Sequence, residues 1–236
     1  IVLIKYLSNH IKKLYELKQK IKKVKDTRVF KDLTVGFRMI RKPADTFYEL
    51  KVKRRGSIIG ATIHYILAII AFLLNTYSYA LPFQYITAIS LNPSSVLVAV
   101  VAVLGVFVLC NYLVSAINDG EGTFADIYKF TGYSLLPMII CLPIAVGISY
   151  GLTLNEEVII SILKILGFWG SGLLLVIGIL ETHNYTFGQT VKNIILTIIF
   201  MVLFFIICVV VFVMFDQIKA FIETFWKEVK LRAGWY

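Results

Sequence analysis

An acidic, glycine-rich loop carries the residue types closest to a cation site. Its members are Asp119, Glu121 and Asp126, around Gly120 and Gly122. Calcium takes six to eight oxygen ligands, and the spacing of these acids is not that of an EF-hand. Thr123 followed three residues later by an acid is instead typical of a helix N-cap, with the glycines forming a tight turn before it. We therefore predict a helix start here and no metal site.

Other catalytic patterns are missing from the sequence. The chain has three histidines and contains no HExxH, Gly-x-Ser-x-Gly or GxxxxGK[ST] motif, and no Cys/His cluster with metal spacing. The cysteines Cys110, Cys141 and Cys208 lie in apolar segments, which indicates packing rather than a disulfide framework. We expect that the protein is not an enzyme, uses no cofactor and has no nucleic-acid partner.

The segments on both sides of this loop, like most of the chain, are apolar. Hydrophobic residues make up 58% of the 236 residues, charged residues make up 16%, and the mean hydropathy is +0.81. A helix needs about 20 residues to cross a hydrocarbon core of about 30 Å. Five windows meet this length: Ser57–Ala80, Ser95–Ile117, Phe130–Leu152, Val158–Leu180 and Val191–Phe215. The predicted fold class is all-α, a polytopic membrane protein with five transmembrane helices.

Charge predicts the orientation and the domain boundaries. Residues 1–55 hold 17 of the 24 Lys and Arg residues and only five acids, so this arm is expected to be cytoplasmic. The predicted units are a basic arm (1–55), a transmembrane domain (56–215) and an amphipathic C-terminal tail (216–236). With five spans, the C-terminus is expected on the outer side. The tail is amphipathic through Ile218, Phe221, Ile222, Phe225 and Trp226.

The arm contains two basic features. Apolar residues recur at three- and four-residue steps between residues 4 and 24, which predicts a basic amphipathic helix. Such a helix is suited to anionic lipid or to a groove of a partner, and the alternative is a solvated helix that rests against the loops of the bundle itself. Just before the first span, four cations are candidates for binding lipid headgroups, at about 1 kcal/mol each. They are Lys51, Lys53, Arg54 and Arg55. A plain topology signal is the alternative explanation of these four residues.

Small residues predict which spans pack together. The third span contains Gly147 and Gly151 at a small-xxx-small spacing, and the fourth contains Gly167 and Gly170. We predict that these two spans pack at the centre of the bundle. The fifth span has no Gly or Pro and is expected at the periphery.

Three polar residues within the spans are candidates for a functional role: His64, Asn111 and Lys164. We expect Lys164 to extend toward the outer surface and His64 to be hydrogen-bonded at a helix interface.

The loop and the span after it carry a family resemblance. The residues Gly120-Glu-Gly122-Thr-Phe, Tyr128 and Gly132-Tyr133-Ser-Leu-Leu-Pro137 resemble the second-to-third-helix region of the YIP (Ypt/Rab-interacting protein) domain family. Glu181-Thr-His183-Asn-Tyr185 is a second similar motif. The resemblance covers about residues 40–215 and implies five spans with the N-terminus inside.

The resemblance also suggests where partners act and where the protein resides. The candidates for a partner or loop motif are Asp119, Gly120, Glu121, Gly122, Tyr128, Gly132, Tyr133 and Pro137. The chain lacks the Asp-Leu-Tyr-Gly-Pro motif and the long N-terminal region of eukaryotic members, so it looks more like a bacterial member. This favours a bacterial plasma membrane, or a eukaryotic endomembrane if the source is eukaryotic.

Three hypotheses of function follow. The first is a non-catalytic adaptor or accessory subunit that associates with another integral membrane protein, such as a transporter complex. The second is transport of a small solute or lipid by the protein itself, because its third and fourth spans are rich in Pro and Gly. The third is a membrane-shaping or lipid-sensing role through the amphipathic segments, with membrane lipids as partners.

Overall fold

The computed structural model describes residues 28–53, 56–84 and 91–232, with side chains from residue 35 onward. These residues form helices and short connections and include no β-strand, which confirms the predicted all-α fold class. The helices are α1 Arg28–Arg41, α2 Pro43–Val52, α3 Ile58–Tyr77, α4 Pro93–Ile117, α5 Phe124–Ser134, α6 Leu136–Ser149, α7 Glu157–His183 and α8 Phe187–Arg232, with 3₁₀ turns at Leu81–Phe83 and Leu154–Glu156.

Five spans are long and apolar enough to cross a membrane, as predicted. They are α3, α4, the pair α5 and α6, α7 together with the 3₁₀ turn before it, and α8. The protein is therefore a multi-pass membrane protein. The side of the membrane on which each terminus lies stays a prediction. The predicted basic helix at 4–24, and Arg54 and Arg55, lie outside the described residues.

The third span is interrupted at Leu135, between α5 and α6. Pro137 lies in the first turn of α6, where its missing N–H costs no helical hydrogen bond. The N–H of Met138, which has no carbonyl partner in this first turn, donates to the Ser171 hydroxyl of α7 at 3.1 Å. Ser171 therefore stabilises the interruption by satisfying a buried amide.

Two of the four predicted packing glycines lie between α6 and α7. A Cβ built on Gly167 would lie 3.2 Å from the Cβ of Cys141, and one on Gly170 would lie 3.0 Å from the Cβ of Pro137. The prediction for Gly147 and Gly151 is wrong in this structure. A Cβ on Gly147 meets nothing within 4 Å, and one on Gly151 meets only a carbonyl oxygen at 3.8 Å. These two residues face away from the α7 contact, so their spacing does not mark a helix interface within the chain.

The last span is peripheral, as predicted. Only 6% of the most apolar window of α8 is buried, against 56% in the third span. Its buried residues, Thr190, Asn193 and Thr197, all lie near its start. The helix then continues without a break through the predicted boundary between span and tail at residues 215 and 216.

The core holds large aromatic side chains near one end of the bundle. Phe47 of α2 is fully buried together with Phe130 and Tyr133 of α5 and Ile179 of α7. The short helix α2 thereby packs across the ends of the spanning helices. We call this the motif end, because both family-like motifs lie there; the opposite, far end holds the two 3₁₀ turns.

A junction of two loop motifs as the candidate functional site

The two family-like motifs meet at the motif end. The first is the loop 118–123 between α4 and α5, and the second is the segment 183–186 between α7 and α8. We call these residues, together with Lys51 of α2, the motif junction. The sequence predicted each motif separately but gave no sign that the two touch.

Both motifs end a helix in the same way. Asp119 has a φ of 53° and Asn184 a φ of 57°, both in the left-handed region. The next residue then donates its N–H to a carbonyl five positions back, from Gly120 to Ser115 at 2.8 Å and from Tyr185 to Leu180 at 3.0 Å. This arrangement is a Schellman-type C-cap, and Asn and Asp are the non-glycine residues that adopt its conformation most readily.

Both motifs also begin the next helix with a capping box. At α5 the N–H of Asp126 donates to the Thr123 hydroxyl oxygen, while the Asp126 carboxylate accepts the N–H of Thr123. This confirms the N-cap predicted from the sequence. At α8 the same reciprocal pair joins Thr186 and Gln189. This second box was not predicted, although the Thr-x-x-Gln spacing is its usual sequence signature.

The glycines of the first motif allow close contact with the second motif. A Cβ on Gly120 would lie 2.6 Å from the Tyr185 hydroxyl and 2.7 Å from Nδ1 of His183. A Cβ on Gly122 would lie 2.7 Å from Cε1 of His183. The prediction that the glycines form a tight turn is wrong, because neither glycine has a positive φ. Asp119 is the residue in the left-handed conformation, and the glycines leave room for the side chains of His183 and Tyr185.

His183 is the centre of the junction. Its ring is 1% exposed, stacks on Tyr185 with centroids 5.1 Å apart, and meets the edge of Phe130. Its Nδ1 accepts the N–H of Gly122 at 3.3 Å, which assigns the ring proton of the neutral form to Nε2. The Tyr185 hydroxyl donates to the Asn118 carbonyl at 3.1 Å, which ties the two motifs a second time. Burial raises the pKa of the Tyr185 phenol above its ordinary value.

An ion pair connects α2 to both motifs. Lys51 Nζ lies 2.6 Å from a carboxylate oxygen of Glu121, and the Asn184 side-chain amide donates to the other oxygen at 3.5 Å. These hydrogen bonds, with that to Lys51 the stronger, hold the pKa of Glu121 below its ordinary value. Lys53 pairs with Glu49 at 3.2 Å. Both predicted headgroup lysines that the structure describes therefore already have carboxylate partners.

The remaining predicted motif residues pack α5 and α6 inside the bundle. The hydroxyls of Tyr128 and Thr62 share a hydrogen bond of 3.0 Å. A Cβ on Gly132 would lie 2.9 Å from the Ala61 carbonyl oxygen of α3. Tyr133 is fully buried, with its ring centroid 4.6 Å from that of His64. Pro137 faces Gly170, as described above. Their burial gives Gly132 and Tyr133 an internal packing role.

The polar residues predicted within the spans also have internal partners. His64 is fully buried, and its Nδ1 lies 2.8 Å from the Gly60 carbonyl. Lys164 extends over the ring of Tyr79 near the far end, 4.3 Å from its centroid. The Asn111 amide of α4 donates to Asn193 Oδ1 at 2.8 Å and to Thr197 at 3.2 Å, both on α8.

The Asn111 contacts attach the first turns of α8 to α4. Asn193 and Thr197 were not identified from sequence. Their four-residue spacing on one helical face was the available signal.

The junction is suited to hold five helices together, namely α2, α4, α5, α7 and α8. Within the described residues, no three His, Cys, Asp or Glu side chains come close enough to hold a metal ion. Its hydrogen bonds join glycine amide to imidazole, phenol to carbonyl and lysine to carboxylate, whereas His183 Nε2 and Asn118 Nδ2 are buried without a hydrogen-bond partner among the residues that the structure describes.

Comparison with known proteins supports the resemblance. No curated protein and no solved structure matches the chain. The sequence model of the Yip1 domain matches residues 37–211, which include both motifs, the motif junction and all five spans apart from the end of α8. This agrees with the predicted range of about 40–215, and the chain belongs to the Yip1 domain family.

Proposed function

We propose that the protein is a non-catalytic membrane adaptor or accessory subunit, and that it binds another integral membrane protein through a groove between α3 and α4. The observation that carries this proposal is a pair of adjoining apolar cavities that are lined by α3 and α4 together with residues of α5, α6 and α7. One has a volume of about 430 Å³ and the other about 300 Å³, and Leu104 lines both. Other lining residues include Ala68, Phe72, Ala99, Gly105 and Val108.

The walls of the groove suit a transmembrane helix. Ala68 of α3 and Ala99 and Gly105 of α4 are small, and a Cβ on Gly105 would meet nothing within 4 Å. Small residues let helix backbones approach closely in lipid, where packing drives association. The groove lies within the spans, so a partner that enters it must itself be in the membrane.

The motif junction supports this proposal from inside the bundle. It fixes the ends of α4, α5, α7 and α8 through the contacts of His183, Tyr185 and Glu121. A groove with rigid walls loses less conformational entropy when a partner binds. The motifs that identify the family would then act indirectly, by holding the binding surface in shape.

Two matched alanines on α4 allow a direct test. Ala99 lines the groove, whereas Ala102 is exposed and lines neither cavity. Tagged protein is purified from its native membrane in mild detergent, and bound proteins are quantified by mass spectrometry. We expect a stoichiometric integral membrane protein with the wild type and with Ala102→Phe, and at least a tenfold loss with Ala99→Phe. A wild-type protein that purifies alone, or equal recovery with both variants, would contradict the proposal.

The alternatives predicted from sequence remain separately testable. Transport by the protein alone predicts solute flux into liposomes that contain only this chain. Lipid sensing predicts that the full chain remodels or binds vesicles in proportion to their anionic lipid content. The cytoplasmic N-terminus and the bacterial plasma membrane are part of the proposal, and protease accessibility of an N-terminal tag in oriented vesicles tests that orientation.

A further inference from the structure

The last helix is much longer than a membrane requires. Helix α8 has 46 residues, Phe187–Arg232, which corresponds to about 69 Å at 1.5 Å per residue. A bilayer with its headgroups is about 40–45 Å thick. The residues after Phe215 therefore extend beyond the far end of the bundle, and the part from Ile198 onward has no buried residue.

This extension has a regular apolar stripe. Ile218, Ile222, Phe225 and Val229 follow one another at steps of four, three and four residues, and they are 49%, 58%, 55% and 38% exposed. Asp216, Glu223, Lys227 and Lys230 lie on the opposite face, Lys219 and Glu228 flank the stripe, and Arg232 follows the stripe at its end. A repeat of 3.5 residues is the spacing of a coiled coil, in which these residues occupy the a and d positions.

Because α8 is straight, the apolar stripe of its extension does not lie on the bilayer surface. To lie on the membrane, the extension must turn sharply where α8 leaves the lipid. Sharp bends in helices occur almost always at Pro, at Gly/Ser pairs or at π-bulges. Between Gln189 and Arg232 the chain has no Gly, Pro or Ser, and α8 is one continuous α-helix there. The stripe is thus directed along the continuation of the span, away from the lipid.

The apolar stripe is suited to pack against the same stripe of a second copy of the protein. Copies of one protein insert into a membrane in the same orientation, so their α8 helices are parallel and reach the same height above the lipid. Each stripe residue then meets its own counterpart. The β-branched Ile222 and Val229 fall at a positions, which parallel coiled coils accept well. Phe221 and Trp226 fall at the g and e positions beside the seam, where g of one helix lies next to e of the other.

We propose that residues 215–229 of α8 form a parallel coiled coil with α8 of a second copy. This contact uses a different surface from the groove between α3 and α4 and does not depend on what binds there. The short extension, which would be marginal as a helix alone in water, gains its stability from the packed seam.

Disulfide cross-linking of the full-length protein in liposomes tests this proposal. The exposed native Cys208 is replaced by Ser, and one new cysteine is placed either in the seam, Ile222→Cys, or on the opposite face, Lys227→Cys. Both positions are exposed in the single chain, so both variants should fold. After mild copper-catalysed oxidation, we expect at least fivefold more covalent dimer from Ile222→Cys than from Lys227→Cys.

A second pair of variants tests whether the cross-linked dimer reflects a packed seam or random collisions between molecules. Ile222→Glu places a charge in the seam, whereas Lys227→Glu changes charge only on the outer face. Light scattering in mild detergent should show that Ile222→Glu lowers the oligomeric mass and that Lys227→Glu does not. Equal cross-linking at positions 222 and 227, no cross-linking at either, or an unchanged mass in Ile222→Glu would overturn the proposal.

Discussion

A methyl group added at Gly122 should loosen the motif junction through one identifiable contact. The built Cβ lies 2.7 Å from Cε1 and 2.9 Å from Nδ1 of His183, and 3.0 Å from the methyl of Thr182. Ordinary contacts of this kind are 3.4–4 Å. The His183 ring is held by Tyr185 and Phe130, so it cannot move aside without losing those contacts. We therefore expect Gly122→Ala to destabilise the fold.

The expected size of the effect follows from two opposing terms. Overpacking a well-filled site costs about 1–3 kcal/mol. Replacing Gly by Ala where the backbone tolerates it stabilises by about 0.4–1 kcal/mol, through the unfolded state. The net cost of Gly122→Ala should be about 1–2 kcal/mol. Most of it should disappear in a His183→Ala background, where the ring no longer occupies the space, which gives a coupling free energy of about 1–2 kcal/mol.

Unfolding by SDS in mixed micelles, followed by far-UV circular dichroism, measures this cycle. Gly188→Ala is the control, because a Cβ there meets nothing within 4 Å, and its midpoint should be unchanged or slightly raised. If Gly122→Ala costs as much in the His183→Ala background as in the wild type, the contact with His183 is not the cause, and the assigned role of the glycine is refuted.

Three further predictions concern other parts of the structure. The pKa of Glu121 is lowered in the folded state, so its stabilising effect is full above its ordinary pKa of 4.5 and is lost as the pH falls through the lower folded value. Glu121→Gln should thus lower the SDS midpoint at pH 6, and this difference from the wild type should shrink as the pH falls below 4.5. Gly178→Ala should cost about 1–3 kcal/mol because its Cβ would lie 2.8 Å from Phe130, whereas Gly147→Ala should be neutral or stabilising in the same assay. Asn193→Ala should cost about 0.6–1.7 kcal/mol in unfolding and detach α8 from α4, measured as faster proteolysis after residue 186.

The features that depended on local sequence were predicted well. The five spans followed from length and apolar composition, and the α5 N-cap followed from Thr123 and Asp126, three residues apart. The interruption at Leu135 was not located, because Pro137 alone also fits the interior of a kinked helix. The span predicted at residues 130–152 in fact begins six residues earlier, with the capped helix α5.

Contacts between distant residues could not be predicted in this way. Gly120 and Gly122 looked like turn residues, because a single sequence does not show that His183 approaches them from another helix. The spacing of Gly147 and Gly151 looked like a packing motif, but only the direction of α6 decides which face of that helix meets a neighbour. The sequence predicted a separate tail after residue 215, whereas α8 continues to Arg232. The charged residues there show where the apolar span ends, but they do not show where the helix ends.

The position of the motif junction explains how the two family motifs contribute to the fold. Where helices leave the membrane, the first carbonyls and amides beyond the last turn must find partners, because lipid supplies none. Here each of the two short loops provides hydrogen-bond partners for the other. The Gly122 amide donates to His183, the Tyr185 phenol to the Asn118 carbonyl, and both αL residues redirect the next amide into the helix just ended. Within the part of the chain that the structure describes, these contacts satisfy backbone groups of both loops but leave His183 Nε2 and Asn118 Nδ2 buried without a partner. The first motif also contributes to the proposed binding surface, because Phe124, Tyr128 and Leu135 line the groove between α3 and α4, whereas the extended stripe of α8 contains neither motif.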